Sequence, residues 1–406
     1  MSRPGTRRMR GTQRTRRVVL LVLAATGCVL GVAPSATAHD RTAVSEPAAS
    51  EVRFVPASAE ATAAHAASAV AAMTSREKAA TVVMGHTPST DPTVLADYMA
   101  RTGAGGFILM GANIPGDAAA LRTLTASLAV DPALPPLVAV DQEGGDVSRL
   151  RWDDFPSSLT LKSEAPDATK LAFSGRGALV EAAGIGVNFG IVADWTDDRG
   201  SFIYRRVLGT TPQDAADRVS AAVRGEAPFA ASTLKHFPGH GAAPGDSHRV
   251  IPETSLTLDQ WRAAEALPFQ SGIDAGAQLV MFGHLAYTAV DSAPASLSAS
   301  WHQILRDELG FTGVAVTDDM AMLEASGMRD PVENAILAVI AGNDLILGVG
   351  YSSVDRANAV IDGIAGAIGS GRIPAERIDE AAARVIALRL TTSVGAVPCA
   401  ECTPAG

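Results

Sequence analysis

Three groups of ionisable residues stand out by type and spacing. Lys235-His236-Phe237-Pro238-Gly239-His240-Gly241 is followed by Asp246-Ser247-His248, so three histidines fall within 13 residues. Asp318-Asp319 directly follows Gly313-Val314-Ala315-Val316-Thr317, and Asp141-Gln142-Glu143-Gly144-Gly145 follows Pro136-Leu137-Val138-Ala139-Val140. In a tight D-S-H turn the Asp246 carboxylate can reach the His248 ring two residues on, hold it and raise its basicity, which makes a general acid/base. A carboxylate fixed at the end of an apolar run suits in-line attack, or the stabilisation of an oxocarbenium-like centre. Asp318 and Asp319 compete for that role. Neighbours on a strand point to opposite sides, and spacing alone does not choose between them. A zinc hydrolase built on His236, His240 and His248 is a second reading. The absence of a helical H-x-x-x-H pair and the Gly- and Pro-rich loop weigh against it, and satisfying loop carbonyls suits His240.

Chemistry spread over residues 141–319 needs elements that bring it together. Eight short apolar runs recur, at 80–84, 106–110, 136–140, 186–192, 231–234, 278–282, 313–317 and 344–348. Continuous runs of this length suit parallel strands buried on both faces, and the gaps are long enough for crossover helices. Amphipathic candidates include DPTVLADYMART, DAAALRTLTASLAV, DAADRVSAAVRG and ENAILAVIAG. An open doubly wound sheet gives the same alternation, but eight βα units predict a single (β/α)8 TIM-type barrel of the α/β class. Five of the eight runs end in or lead to ionisable groups, through Asp141, Asp194, Lys235-His236, His284 and Asp318-Asp319. In a barrel these would converge on one rim. No G-x-G-x-x-G or Walker-type loop follows the first run, which speaks against a nucleotide site. Thr74-Ser75-Arg76-Glu77 has a capping-box pattern for a helix start, and the stretch from Pro374 to Leu390 would close the domain.

The chain of 406 residues is 47% hydrophobic and 19% charged, enough apolar content to fill a core. Residues 1–38 carry seven Arg and no Asp or Glu; removing those seven from 33 leaves 26 basic against 43 acidic residues. A nucleic-acid partner is therefore not expected. The basic stretch to Arg17, the apolar stretch Val18 to Ala33 and Ala36-Thr37-Ala38 read as a secretory signal peptide, and Arg16-Arg17 also fits a loose twin-arginine signal. A lipoprotein site at Cys28 is disfavoured by Ala25. The expected organisation is signal peptide 1–38, flexible lead-in 39–70, barrel 71–392 and tail 393–406. Cys399 and Cys402 in the tail could pair locally in an oxidising compartment. No other segment is apolar over a membrane-spanning length. A secreted or cell-surface monomer is expected.

At this point the residues resemble glycoside hydrolase family 3, specifically its single-domain β-N-acetylglucosaminidases. The resemblance rests on V-D-Q-E-G-G-D-V-S-R-L (140–150), G-V-N-F-x-x-V-A-D (186–194), K-H-F-P-G-H-G (235–241) with D-S-H (246–248), and G-V-A-V-T-D-D-M-A-M (313–322). M-T-S-R-E-K (73–78) is similar to the family's opening helix, and order and spacing hold over roughly 70–390. The sequence departs from the family at Gly190-Ile191, where alanine and proline are usual, and at Ala242-Ala243, where Asp-Thr is usual. The resemblance implies Asp318 as nucleophile and His248 as acid/base oriented by Asp246. It implies Asp141, Arg149, Lys235, His236 and Arg206 as ligands for sugar hydroxyls, Arg206 being the R-V-L-G arginine beside Arg205. The implied substrate is a terminal β-linked N-acetylglucosamine on a muropeptide or chitin oligosaccharide, cleaved with retention and without metal or organic cofactor. Phosphorolysis and non-catalytic sugar binding are the alternatives.

Overall fold

A computed structural model of the chain describes residues 59–328 and 330–392. The signal-peptide, lipoprotein-site and Cys399/Cys402 readings lie outside the described residues, as does the lead-in up to residue 58.

Eight parallel strands form one sheet: β1 (Val83–Gly85), β2 (Gly106–Leu109), β3 (Leu137–Val140), β4 (Val187–Val192), β5 (Ala231–Phe237), β6 (Leu279–Phe282), β7 (Val314–Thr317) and β8 (Ile346–Leu347). Each pairs with the next in sequence, and β8 pairs with β1. A bridge between Val316 and Leu345 closes the ring; Thr317 N–H donates to the Leu345 carbonyl and Leu345 N–H to the Ala315 carbonyl, both at 3.1 Å. The expected barrel is what forms. The first strand sits later than the run at 80–84, because a helix (Ser75–Thr81) takes Ala80 and Thr81. Its N-cap Thr74 and Glu77 make the reciprocal capping box read from the sequence, at 3.3 and 2.7 Å.

The strands are apolar throughout because both faces are buried, and the period of two separates the faces. Met84, Ile108, Leu137, Ala139, Val187, Phe189, Leu279, Met281, Val314 and Val316 fill the barrel interior. Their neighbours Phe107, Leu109, Val138 and Val140 pack outward in one helix-facing core, and Val280, Phe282 and Ala315 in another. Asp141 follows Val140, Lys235 follows Leu234 and Asp318 follows Thr317, so each continues the inward series one step beyond the apolar layers.

Several outer helices begin on an Asp or Thr cap with proline at the first turn. Such starts are Asp91 before α1 (Pro92–Thr102), Thr211 before α2 (Pro212–Glu226) and Asp330 before α3 (Pro331–Ala341). A last helix, α4 (Ala375–Thr392), turns Val385 and Leu388 into the interior core and stops its lower end. Residues 59–70 depart from the expected lead-in. Ala59–Ala72 is a helix that packs on α4 through buried Ala66 and Val70. Its alanine-rich composition read as linker, yet alanine is the strongest helix former once a neighbour covers one face. No described helix is long and apolar enough to cross a membrane.

Candidate active site

The C-terminal ends of the strands surround a cavity of about 230 Å³. Asp141, Arg149, Arg206, Lys235, His236, His248 and Asp318 all line it. Asp246 stands behind His248 and does not.

Buried charge organises the floor. Lys235 Nζ lies 3.0 Å from Asp141 and 2.7 Å from Glu143; Arg206 forks onto Glu143 at 2.9 and 2.7 Å; Arg149 reaches Asp141 at 3.3 Å. Glu143 received no role from the sequence, yet it joins two of the expected ligands. Burial pushes its carboxyl up, but Lys235 and Arg206 outweigh that and hold it at about 2. Asp141 is lowered by the same balance, burial against Lys235 and Arg149. Three cations thus face Asp141, Glu143 and Asp318, which lets ionised groups persist in a dry site. The Gly144-Gly145 turn, at φ +82° and +77°, folds Gln142–Gly144 back on Val147–Ser148 and returns Arg149 towards Asp141. A Cβ on Gly144 would come within 2.1 Å of the Arg176 guanidinium.

Asp318 and Asp319 are separated by their surroundings. Asp319 Oδ1 accepts the N–H groups of Val349 (2.9 Å) and Ala321 (3.2 Å), and its carbonyl takes His284 Nε2 at 3.0 Å. It ties the loop after β7 to the loop after β8. Burial, with the charge of Asp318, pushes Asp319 up to about 6. Asp318 takes one N–H, that of Asp319, at 2.7 Å. Burial pushes Asp318 up as well; with His236 neutral, that N–H and the Lys235 ammonium are what hold it below the usual carboxylate range. His284, with Ser296 Oγ 2.7 Å from Nδ1, holds the backbone of Asp319.

His236 lies against Asp194, another residue without an assigned role. Asp194 is buried at the end of β4 and accepts the His236 N–H (3.2 Å), the His240 N–H (2.6 Å) and His236 Nδ1 (2.7 Å). Burial and the neighbouring Arg206 hold the His236 imidazole well below its ordinary value, so it is neutral. With Nδ1–H given to Asp194, Nε2 faces Arg206 Nη2 at 3.3 Å as an acceptor. His240 corrects its loop-carbonyl reading. Among the described residues neither ring nitrogen has a hydrogen-bond partner, and the ring lines the cavity edge-on to Phe202, 4.7 Å between centroids.

The D-S-H turn forms as its spacing predicts. His248 Nδ1 lies 2.6 Å from Asp246 Oδ1, which also accepts the His248 N–H at 3.1 Å. Partial burial raises the Asp246 carboxyl, but these two bonds leave it lowered. The side chains are 64% and 38% exposed, so the dyad stands at the cavity mouth. Arg206, rather than Arg205, faces the cavity; Arg205 turns out to Asp146 at 2.6 Å. Among the described residues no three His, Cys, Asp or Glu side chains are grouped to hold a metal ion.

Comparison with known proteins matches residues 74–388 to the family described as glycosyl hydrolase family 3 N terminal domain. A β-hexosaminidase of Idiomarina loihiensis is 40% identical over 238 residues, 56% of this chain and 70% of that one. Among solved structures, a glycoside hydrolase family 3 β-N-acetylglucosaminidase from Paenibacillus sp. FPU-7 superposes with a TM-score of 0.74 at 32% identity. It is matched over 79% of this chain but only 63% of its own length. A β-N-acetylhexosaminidase from Beutenbergia cavernae, at 28% identity and TM-score 0.69, is matched over 78% of this chain and 98% of its own.

Proposed function

The chain belongs to glycoside hydrolase family 3, and from that premise we propose that it is a retaining exo-β-N-acetylglucosaminidase. It is a glycoside hydrolase of the β-hexosaminidase type. The finer reading has it exported by its N-terminal segment to act on peptidoglycan fragments or chitin oligosaccharides. One observation carries it. A carboxylate held ionised at the floor, Asp318, and an imidazole held by a carboxylate at the mouth, His248 on Asp246, belong to the same small cavity.

Asp318 attacks the anomeric carbon while protonated His248 gives its proton to the glycosidic oxygen, and Asp246 stabilises the imidazolium. Neutral His248 then takes a proton from water, which releases the sugar from Asp318 with net retention. The charged ring of Asp141, Arg149, Lys235 and Arg206, with neutral His236, is arranged to grip hydroxyls. These groups already satisfy one another, so they need little reorganisation when a sugar arrives. The apolar wall of Ile108, Met110, Met281, Met322 and Val349 fits the ring's carbon face and the acetamido methyl. A cavity below the ~300–1,000 Å³ of most ligand sites holds one sugar ring, which favours terminal cleavage.

The test is release of 4-nitrophenol from its β-N-acetylglucosaminide. Asp318→Ala is expected to lower kcat by about 10³-fold or more while the protein stays folded. A wild type inert on this substrate would reject the reading. Sugar 1-phosphate as the main product in phosphate buffer would make the enzyme a phosphorylase, an acceptor change that a neutral imidazole base permits more readily than a carboxylate.

A further inference from the structure

Most polar groups of the cavity are matched by one another; the ring of His240 is not. It lines the cavity and the residue is only 2% exposed, yet among the described residues neither Nδ1 nor Nε2 has a hydrogen-bond partner. The other buried histidines are each held by at least one ring nitrogen. His86 lies on the Ile108 carbonyl, His236 on Asp194, His284 on Ser296 and His302 on the Ser298 carbonyl. A buried polar group left unmatched is destabilising, so a ring with both nitrogens unmatched is one that a ligand completes.

The backbone, not the side chain, aims this ring. Asp194 accepts the His240 N–H at 2.6 Å, Trp261 Nε1 donates to the Pro238 carbonyl at 2.8 Å, and Tyr287 Oη donates to the Gly239 carbonyl at 2.7 Å. A Cβ on Gly241 would lie 1.8 Å from the Trp195 carbonyl oxygen, so glycine lets the loop pass this close. The next two residues, Ala242 and Ala243, bring no polar side chain to the ring. Phe202 packs on it with the ring planes at 69°. Burial holds the imidazole below its ordinary value, so it is neutral and offers one N–H and one lone pair.

His240 stands on the loop between His236 at the floor and His248 at the mouth, and the charge of Asp318 acts on its ring. That is the side of the cavity where the anomeric carbon is attacked, one atom from the substituent at C2. In the proposed substrate this substituent is an acetamido group. The apolar wall fits its methyl, but no residue assigned so far meets its amide, which is costly to bury alone. We infer that His240 holds the amide of the acetamido group and so selects sugars by what they carry at C2. The inference rests on the glycosidase reading above and deepens it: the charged ring grips hydroxyls whatever C2 carries, and His240 adds the discrimination.

The full chain is assayed on 4-nitrophenyl N-acetyl-β-glucosaminide and on 4-nitrophenyl 2-deoxy-β-glucoside, which carries only hydrogen at C2. Where the second is turned over too slowly, its Ki as an inhibitor of the first replaces kcat/KM. His240→Phe keeps an aromatic ring against Phe202 and removes both nitrogens. It should lower kcat/KM on the glucosaminide about 10–100-fold and change the deoxy compound by less than about threefold. His240→Gln, whose amide reaches the place of Nε2, should recover part of the loss. Removing two unmatched nitrogens should also leave the urea midpoint of His240→Phe at or above that of the wild type, whereas a ring with a purely structural role would lower it. Equal losses on the two compounds would overturn the assignment. A wild type inert on every glycoside would instead sink the glycosidase reading, and calorimetric binding of free N-acetylglucosamine and 2-deoxyglucose then decides the role of His240. Tighter binding of the first, lost in His240→Phe, supports it; equal binding, or a preference that the substitution leaves intact, overturns it.

Discussion

Asp318 and Asp319 are chemically the same residue twice, and their neighbours divide the work between them. Asp319 spends its carboxylate on the N–H groups of Val349 and Ala321, whereas Asp318 keeps an oxygen towards the cavity. Parity along β7 reaches the same assignment, since Val314 and Val316 point inward and Asp318 is next in that series. For the proposed acid/base, the departing group makes a sharp distinction. 4-Nitrophenolate needs little protonation to leave, so His248→Ala should spare attack by Asp318 and cripple the hydrolysis that follows. Stopped-flow measurement is expected to find a burst of nitrophenolate near one equivalent of enzyme, then turnover about 10²-fold or more below the wild type. Turnover equal to the wild type, with no burst, would remove His248 from the mechanism.

At the level of elements, the barrel was legible because its signal is local. Each strand is a short apolar run, and several helix starts carry their own cap within a few residues. The charged ring under the site was legible only in part. Glu143 meets Arg206 across 63 positions, and Asp194 meets His236 across 42, separations at which sequence pattern says nothing about contact. Both occupy strand ends or the residues just after, the one hint available. The helix at 59–72 was missed because alanine-rich composition is shared by linkers and by helices that need a partner. The partner is α4, which also stops the barrel. Leu388→Ala should cost about 2–5 kcal/mol of stability in chemical denaturation, with kcat/KM retained because the site lies at the other end of the strands. Retained stability would mean that the lower end of the barrel needs no stopper there.

Across the whole molecule, buried carboxyls set how stability follows pH. Glu265, whose Oε2 has no hydrogen-bond partner among the described residues, lies 2.8 Å from where a Cβ on Gly239 would sit, under the histidine loop. Burial and then the charge of Asp194 push it up to about 8. The unfolded chain gives up this proton near 4.5 and the folded chain only near 8, so its contribution is complete below about 4.5 and is lost as pH rises through about 8. Glu226, pushed up to about 7 by burial, acts in the same sense. Glu143 opposes them, since its lowered value gives stability above about 4.5 that disappears as pH falls towards 2. Glu265→Gln imitates the neutral acid at all pH values. Its stability relative to the wild type should therefore grow from pH 5 to pH 9, measured by urea denaturation at both; a difference independent of pH would show that Glu265 ionises alike in both states.

The stopped barrel has a kinetic consequence. Apolar side chains fill the interior beneath the charged floor, and α4 closes what remains. Among the described residues the cavity therefore has one doorway, shared by everything that arrives or departs. On the proposed mechanism the aglycone goes out before water comes in, and the liberated sugar, seated deepest, is last to leave. Release is thus ordered by depth. Free N-acetylglucosamine, occupying the innermost position, should compete directly with fresh substrate, so that late in a digestion the enzyme is slowed by its own accumulated product.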